Sequence, residues 1–137
     1  MTLGACHTPG VGHPLGLFVY GTLKQGGSNF WRIEKLVTAA LRGWSLSGQL
    51  YNVGRYPGLI LPGGRRVRGE VLISDQPDEM LRVTDQLEGD EYHRILAQVE
   101  NGEGAAQYAW VYVYARDISR LERLDVDEWL EAGPSQP

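Results

Sequence analysis

The sequence holds a single cysteine, Cys6, so no intrachain disulfide can form and a reducing compartment, the cytoplasm, is the simpler setting. It has no run of apolar residues long enough to span a bilayer, which excludes a helical membrane protein. The first fourteen residues contain neither Lys nor Arg and no apolar stretch, so they do not read as a secretory signal. Blocks of one charge are missing as well. The formal charge of -4 comes from 13 basic and 17 acidic residues mixed along the chain, without the positive footprint that nucleic acid requires. Arg65, Arg66 and Arg68 are the only dense basic cluster, and beside Gly63 and Gly64 they read as a solvated hairpin end. No internal repeat, linker or low-complexity segment interrupts the chain.

What remains is the material of one globular domain. At 137 residues, with 42% hydrophobic and 22% charged residues, the chain can bury a core without staples and is not a disordered chain. Residues 1–14, rich in Gly, Pro and Thr, are expected to form a loose extension, residues 15–132 the domain, and 133–137 a frayed tail. Cys6, His7 and His13 match no zinc-ligand spacing, so no metal or other cofactor is expected.

The pattern is that of an α+β protein. Leu15 to Tyr20 is an apolar run ending at Gly21, which predicts a buried strand opening into a tight turn. Phe30, Ile33, Val37, Ala40 and Leu41 recur at helical spacing after Ser28 and Asn29, predicting a helix over 30–41 closed by Gly43. Short alternating segments at 44–53, 58–61 and 67–73 predict an antiparallel meander. Pro77, with Asp78 and Glu79 behind it, predicts a helix over 77–87 stopped by Gly89. Strands are expected at 92–100 and 107–115, joined by Asn101-Gly102-Glu103-Gly104. In the second of these, Tyr108, Trp110, Tyr112 and Tyr114 fall on one face and Ala109, Val111 and Val113 on the other, a ladder that serves core packing or ligand contact. A short helical stretch is expected after Ala115, docking through Leu121, Leu124, Trp129 and Leu130.

Two places can carry chemistry. The loop Gly21-Thr22-Leu23-Lys24-Gln25-Gly26-Gly27-Ser28 has the outline of a phosphate loop, but Gly27 stands where the lysine belongs and the repeated βαβ pattern is missing. Its backbone amides can still converge on a carboxylate or a developing oxyanion. Glu88, at the end of the second helix, sits where the helix dipole disfavours a carboxylate and raises its pKa. Composition and periodicity leave open whether it is a solvated surface glutamate or an acid/base.

Taken together, Tyr20-Gly21-Thr22-Leu23-Lys24 with Gly26 and Asn29, Tyr56-Pro57-Gly58, Gly69-Glu70-Val71, and Asp85-x-x-Glu88-Gly89 with Tyr92 and Arg94 resemble the γ-glutamylcyclotransferase-like family. The match runs over about residues 16 to 115, and its Tyr-Gly-Thr-Leu-Lys form is closer to the small γ-glutamylamine cyclotransferase branch. The resemblance implies a mixed, partly closed β-barrel with flanking helices. It also implies a reaction in which the α-amine of a γ-glutamyl compound attacks its own γ-carbonyl, giving 5-oxoproline and a free amine without metal. It places the acid/base on Glu88 and the substrate cradle on Tyr20, Gly21, Thr22 and Leu23; Tyr56 and Tyr114 are added as cavity candidates for their polarity and position. The alternative is a non-catalytic pocket that binds a γ-glutamyl or amino-acid-like ligand. The expected partner is a small molecule, with neither nucleic acid nor membrane; the oligomeric state is not legible.

Overall fold

The apolar run after Gly16 forms β1 (Leu17–Val19), a three-residue strand in which every side chain is buried. A long hairpin follows, β2 (Ala39–Asn52) and β3 (Pro57–Ile73). Next come the helix α1 (Pro77–Glu88), a second hairpin of β4 (Tyr92–Asn101) and β5 (Ala106–Tyr114), and a short β6 (Glu122–Leu124). This computed structural model describes residues 13–130. Of the expected extension over 1–14, residues 1–12, with Cys6 and His7, lie outside the described residues, as does the expected tail over 133–137.

The strands close on themselves. β1 pairs antiparallel with β3 and parallel with β5, β5 pairs with β4, and β2 pairs with both β3 and β4. Among the described residues five strands thus form a mixed barrel, as the family resemblance implies, with one α-helix beside it in place of the expected flanking helices. The β2–β4 seam is thin, with register pairs only at Trp44↔Asn101 and Ser45↔Glu100. Strand alternation divides the core in two. Phe18, Leu46, Val67, Val71, Val99, Ala109 and Val111 fill the barrel. Leu17, Val19, Leu72, Tyr92 and Tyr112 face outward and meet Met80 and Leu81 of α1. The two faces read from the β5 sequence therefore separate as expected, the aliphatic one inside and the aromatic one toward the helix. Among the described residues, no helix is long and apolar enough to cross a membrane.

Three expectations are corrected. The helix over 30–41 is replaced by two 3-10 turns, Phe30–Arg32 and Glu34–Leu36, and the chain then enters β2 at Ala39. Ala39, Ala40 and Leu41 pair with Ile73, Leu72 and Val71, so barrel hydrogen bonds claim residues whose spacing fits a helix. Phe30, Ile33 and Leu36 recur every three residues, the period that aligns side chains on one edge of a 3-10 helix. Ile33 is fully buried, and the other two pack around the same outer core. The separate strands at 58–61 and 67–73 are one strand, irregular where the pairing jumps from Gly48↔Arg65 to Gln49↔Ile60. After Ala115 no helix forms among the described residues. Glu122–Leu124 instead adds to β2 through Leu50↔Leu124, Leu124 and Trp129 pack on the barrel core, and Leu130 stays exposed.

Candidate active site

The cavity opens where β1 runs out. Tyr20 to Leu23 form one wall, the end of α1 a second, and the β2–β3 turn at Tyr56 and Pro57 a third, enclosing about 150 Å³. Tyr20 is buried, and its hydroxyl donates to the Tyr112 carbonyl at 2.7 Å, tying the loop to β5. The Tyr92 hydroxyl donates to the Pro57 carbonyl at 2.8 Å and ties the turn to β4. Burial comes first among the causes that push both phenols above their ordinary pKa, so both remain donors.

The loop is held from behind. Glu70 of β3, largely buried, accepts the Gln25 amide at 2.8 Å. Asn29 donates from its side chain to Thr22 Oγ1 at 2.9 Å and from its backbone to the Thr22 carbonyl at 2.9 Å. These bonds leave the amides of Gly21, Thr22 and Leu23 without a protein acceptor among the described residues, and all three residues line the cavity. A Cβ on Gly27 would lie 2.4 Å from the Thr22 carbonyl oxygen. No lysine fits there, which is the physical reason this loop is not a phosphate loop. Lys24 instead reaches out of the loop to the Trp129 carbonyl at 2.8 Å.

α1 brings in the acid. Pro77 opens the helix, Asp78 and Glu79 lie at its positive end, and Met80, Leu81 and Thr84 are its buried face. Gly89 leaves at φ +68, its N–H capping the Asp85 carbonyl. Asp85 turns away from the cavity. It takes Arg94 Nε at 2.8 Å, Arg94 Nη2 at 3.1 Å and the Tyr112 hydroxyl at 2.6 Å. Arg94 also lies over Trp110, 4.4 Å from the ring centroid. The last turn of α1 is thereby fastened to β4 and β5, and Glu88, one turn on from Asp85, stands in the cavity wall. Burial, then the nearby carboxylate of Glu91, push the Glu88 carboxyl up to about 7. Such a group gives or takes a proton near neutrality.

The structure thus brings Tyr20, Gly21, Thr22, Leu23, Tyr56 and Glu88 around one cavity. Tyr114 is not among the lining residues; its ring packs edge-on against Tyr92, 5.5 Å between centroids, one layer back. Glu91 escaped the sequence reading, although it lies three residues after Glu88 across a glycine. The loop anchor Glu70 carries no role in the sequence reading; its signal is a lone carboxylate inside the run Val67 to Ile73. Among the described residues no cluster of His, Cys, Asp or Glu is arranged to hold a metal.

Comparison with known proteins decides the family. The profile described as gamma-glutamyl cyclotransferase, AIG2-like, matches residues 17–131. The chain belongs to this γ-glutamylcyclotransferase family. The family member YtfP of Escherichia coli is 38% identical over 120 residues, covering 84% of this chain and 96% of the relative. The gamma-L-glutamyl-butirosin B gamma-glutamyl cyclotransferase of Niallia circulans is 39% identical over 110 residues, covering 74% and 67%. Among solved structures, an AIG2-like protein from Mus musculus superposes with a TM-score of 0.66 at 29% identity, covering 86% of this chain and 89% of that one. The γ-glutamylcyclotransferase fold is thus shared over most of both chains.

Proposed function

We propose that the protein converts a γ-glutamyl amine or γ-glutamyl amino acid to 5-oxoproline and a free amine, with Glu88 as acid/base. The observation that carries this reading is a half-buried carboxyl poised at about 7 in the wall of a small cavity that is also lined by Gly21, Thr22 and Leu23, whose amides have no protein acceptor among the described residues. Folding the glutamyl chain so that its α-amine meets its γ-carbonyl is the first task, and orientation of this kind is worth on the order of 7 to 11 kcal/mol. The amides of Gly21, Thr22 and Leu23 suit the substrate carboxylate or the developing oxyanion.

Glu88 removes one proton from the α-ammonium. The freed nitrogen pair attacks the γ-carbon, the C–N bond to the leaving group breaks, and the proton held on Glu88 passes to the departing nitrogen; the second proton, left on the new ring nitrogen, then passes through the Glu88 carboxylate to the released amine, which leaves as an ammonium. Protons balance without water or metal. General acid/base help of this type contributes roughly 10²- to 10⁴-fold. The name of the Niallia circulans relative specifies a γ-glutamyl amine substrate, γ-L-glutamyl-butirosin B, which supports an amine leaving group here as well. A cytoplasmic setting fits a chain with one cysteine.

The test is mass-spectrometric detection of 5-oxoproline from γ-glutamyl amines, γ-glutamyl dipeptides and glutathione, with wild type and Glu88→Gln. Product from wild type alone supports the reading. Binding of these compounds without product from either protein would replace it with a non-catalytic pocket.

A further inference from the structure

Glu91 is the second carboxylate of the cavity. It ends the 3-10 turn Gly89–Glu91 that follows α1, and it shares the cavity lining with Glu88. The Tyr56 hydroxyl donates to Glu91 Oε1 at 2.9 Å. That bond is also the first cause raising the Tyr56 phenol pKa, so Tyr56 keeps its proton as the donor. The other titratable groups around Glu88 are phenols: Tyr20 from the end of β1, Tyr92 from β4 and Tyr112 from β5. Among the described residues no Lys, Arg or His lines the cavity, and on α1 itself Asp85 is engaged outward by Arg94. Two carboxylates therefore face one poorly solvated space with no cation among the lining residues.

Such a pair cannot give up both protons as easily as one. The Tyr56 hydrogen bond distinguishes the two, because a phenol O–H that donates to Glu91 holds that carboxylate in place within the cavity it shares with Glu88. We propose that Glu91, anchored by Tyr56, is a positioning residue for Glu88: its carboxylate, held in the same cavity, tunes the proton affinity of the acid/base and draws the substrate ammonium into the cavity. This rests on the cyclotransferase reading for its catalytic meaning, but the coupling of the two carboxyls stands apart from turnover.

The test pairs a carbon-13 NMR titration of the Glu88 carboxyl, assigned by its loss in Glu88→Gln, with the pH profile of kcat/KM for 5-oxoproline release. In Glu91→Gln the Glu88 midpoint falls by about one pH unit, the acid limb of the profile moves with it, and KM rises several-fold. Tyr56→Phe, which frees the Glu91 side chain but keeps its charge, gives a smaller fall in the same direction. It also serves if Glu91→Gln fails to fold. Asp90→Asn removes a like charge that is paired with Arg116 on the surface, and it leaves both readouts in place. An unmoved Glu88 midpoint in Glu91→Gln, or an equal shift in Asp90→Asn, overturns the proposal. Absence of 5-oxoproline from wild type would instead sink the cyclotransferase reading, with the NMR midpoints still deciding whether the carboxyls are coupled.

Discussion

Replacing Glu88 by Gln is expected to abolish turnover while making the protein more stable at alkaline pH. The carboxyl is raised from an ordinary 4.5 to about 7 in the folded state, so folding holds its proton more tightly than the unfolded chain does. Below pH 4.5 both states are protonated and the residue costs nothing. Between about 4.5 and 7 the wild type loses stability as pH rises, and above 7 it carries the full penalty of a charge in the cavity. A shift of this size corresponds to about 3 kcal/mol; water at the cavity mouth screens part of it, leaving roughly 1 to 3 kcal/mol. Gln has the same shape and no charge, so the stability difference between variant and wild type grows with pH and levels off above 7. Urea denaturation at several pH values from 4 to 8.5 measures that difference directly, since titrations common to both proteins largely cancel. At the alkaline end the gain corresponds to a rise in Tm of roughly 4 to 10 °C. A difference that stays flat across the range would refute the reasoning, because Glu88 would then titrate as it does in open water.

Gly69→Ala is expected to destabilise the fold by roughly 1 to 3 kcal/mol, because its Cβ would lie 2.3 Å from the Val19 carbonyl oxygen and 2.7 Å from the Phe18 ring; urea denaturation checks it. Asp85→Asn breaks the charge of the Arg94 pair, whose carboxylate is partly exposed, so stability changes little while the helix end loosens. In this variant kcat for 5-oxoproline release falls roughly 10- to 100-fold. Glu70→Ala removes the acceptor of the Gln25 amide and raises KM more than it lowers kcat, with Glu70→Gln restoring much of the loss; steady-state kinetics on the three proteins separates these outcomes.

Much of this arrangement is legible in the chain because local rules and the fold agree. Pro77, the acidic first turn and Gly89 delimit α1 within one residue of its observed end. The Asn101-Gly102 turn and the alternation of β5 fix the second hairpin and the division of its faces. Two of the misreadings come from partners distant in sequence. Ala39 to Leu41 are good helix formers, but they are needed as a rung beside Val71 to Ile73. Leu124 is drawn into a strand by Leu50. Resemblance points to Glu88, whereas its proton affinity follows from burial and from Glu91, neither of which a linear pattern reveals. Glu91 shares its cavity with Tyr56, 35 residues earlier in the chain, and nothing in either local sequence announces the pairing.

The position of β1 governs when the site can exist. This first strand lies between β3 and β5, and its parallel partner begins only at Ala106. During synthesis the β2–β3 hairpin can assemble early from nearby residues, but β1 must wait until the β5 segment has emerged to complete both of its borders. Closure between segments so far apart in sequence is slow compared with local hairpin formation. The cavity-lining loop Tyr20 to Leu23 is the direct continuation of β1, so a nascent or truncated chain that ends before β5 lacks the framework that orders this loop. On the proposed cyclotransferase reading, a premature stop before residue 106 is expected to yield an inert fragment, because β1 then lacks its parallel partner.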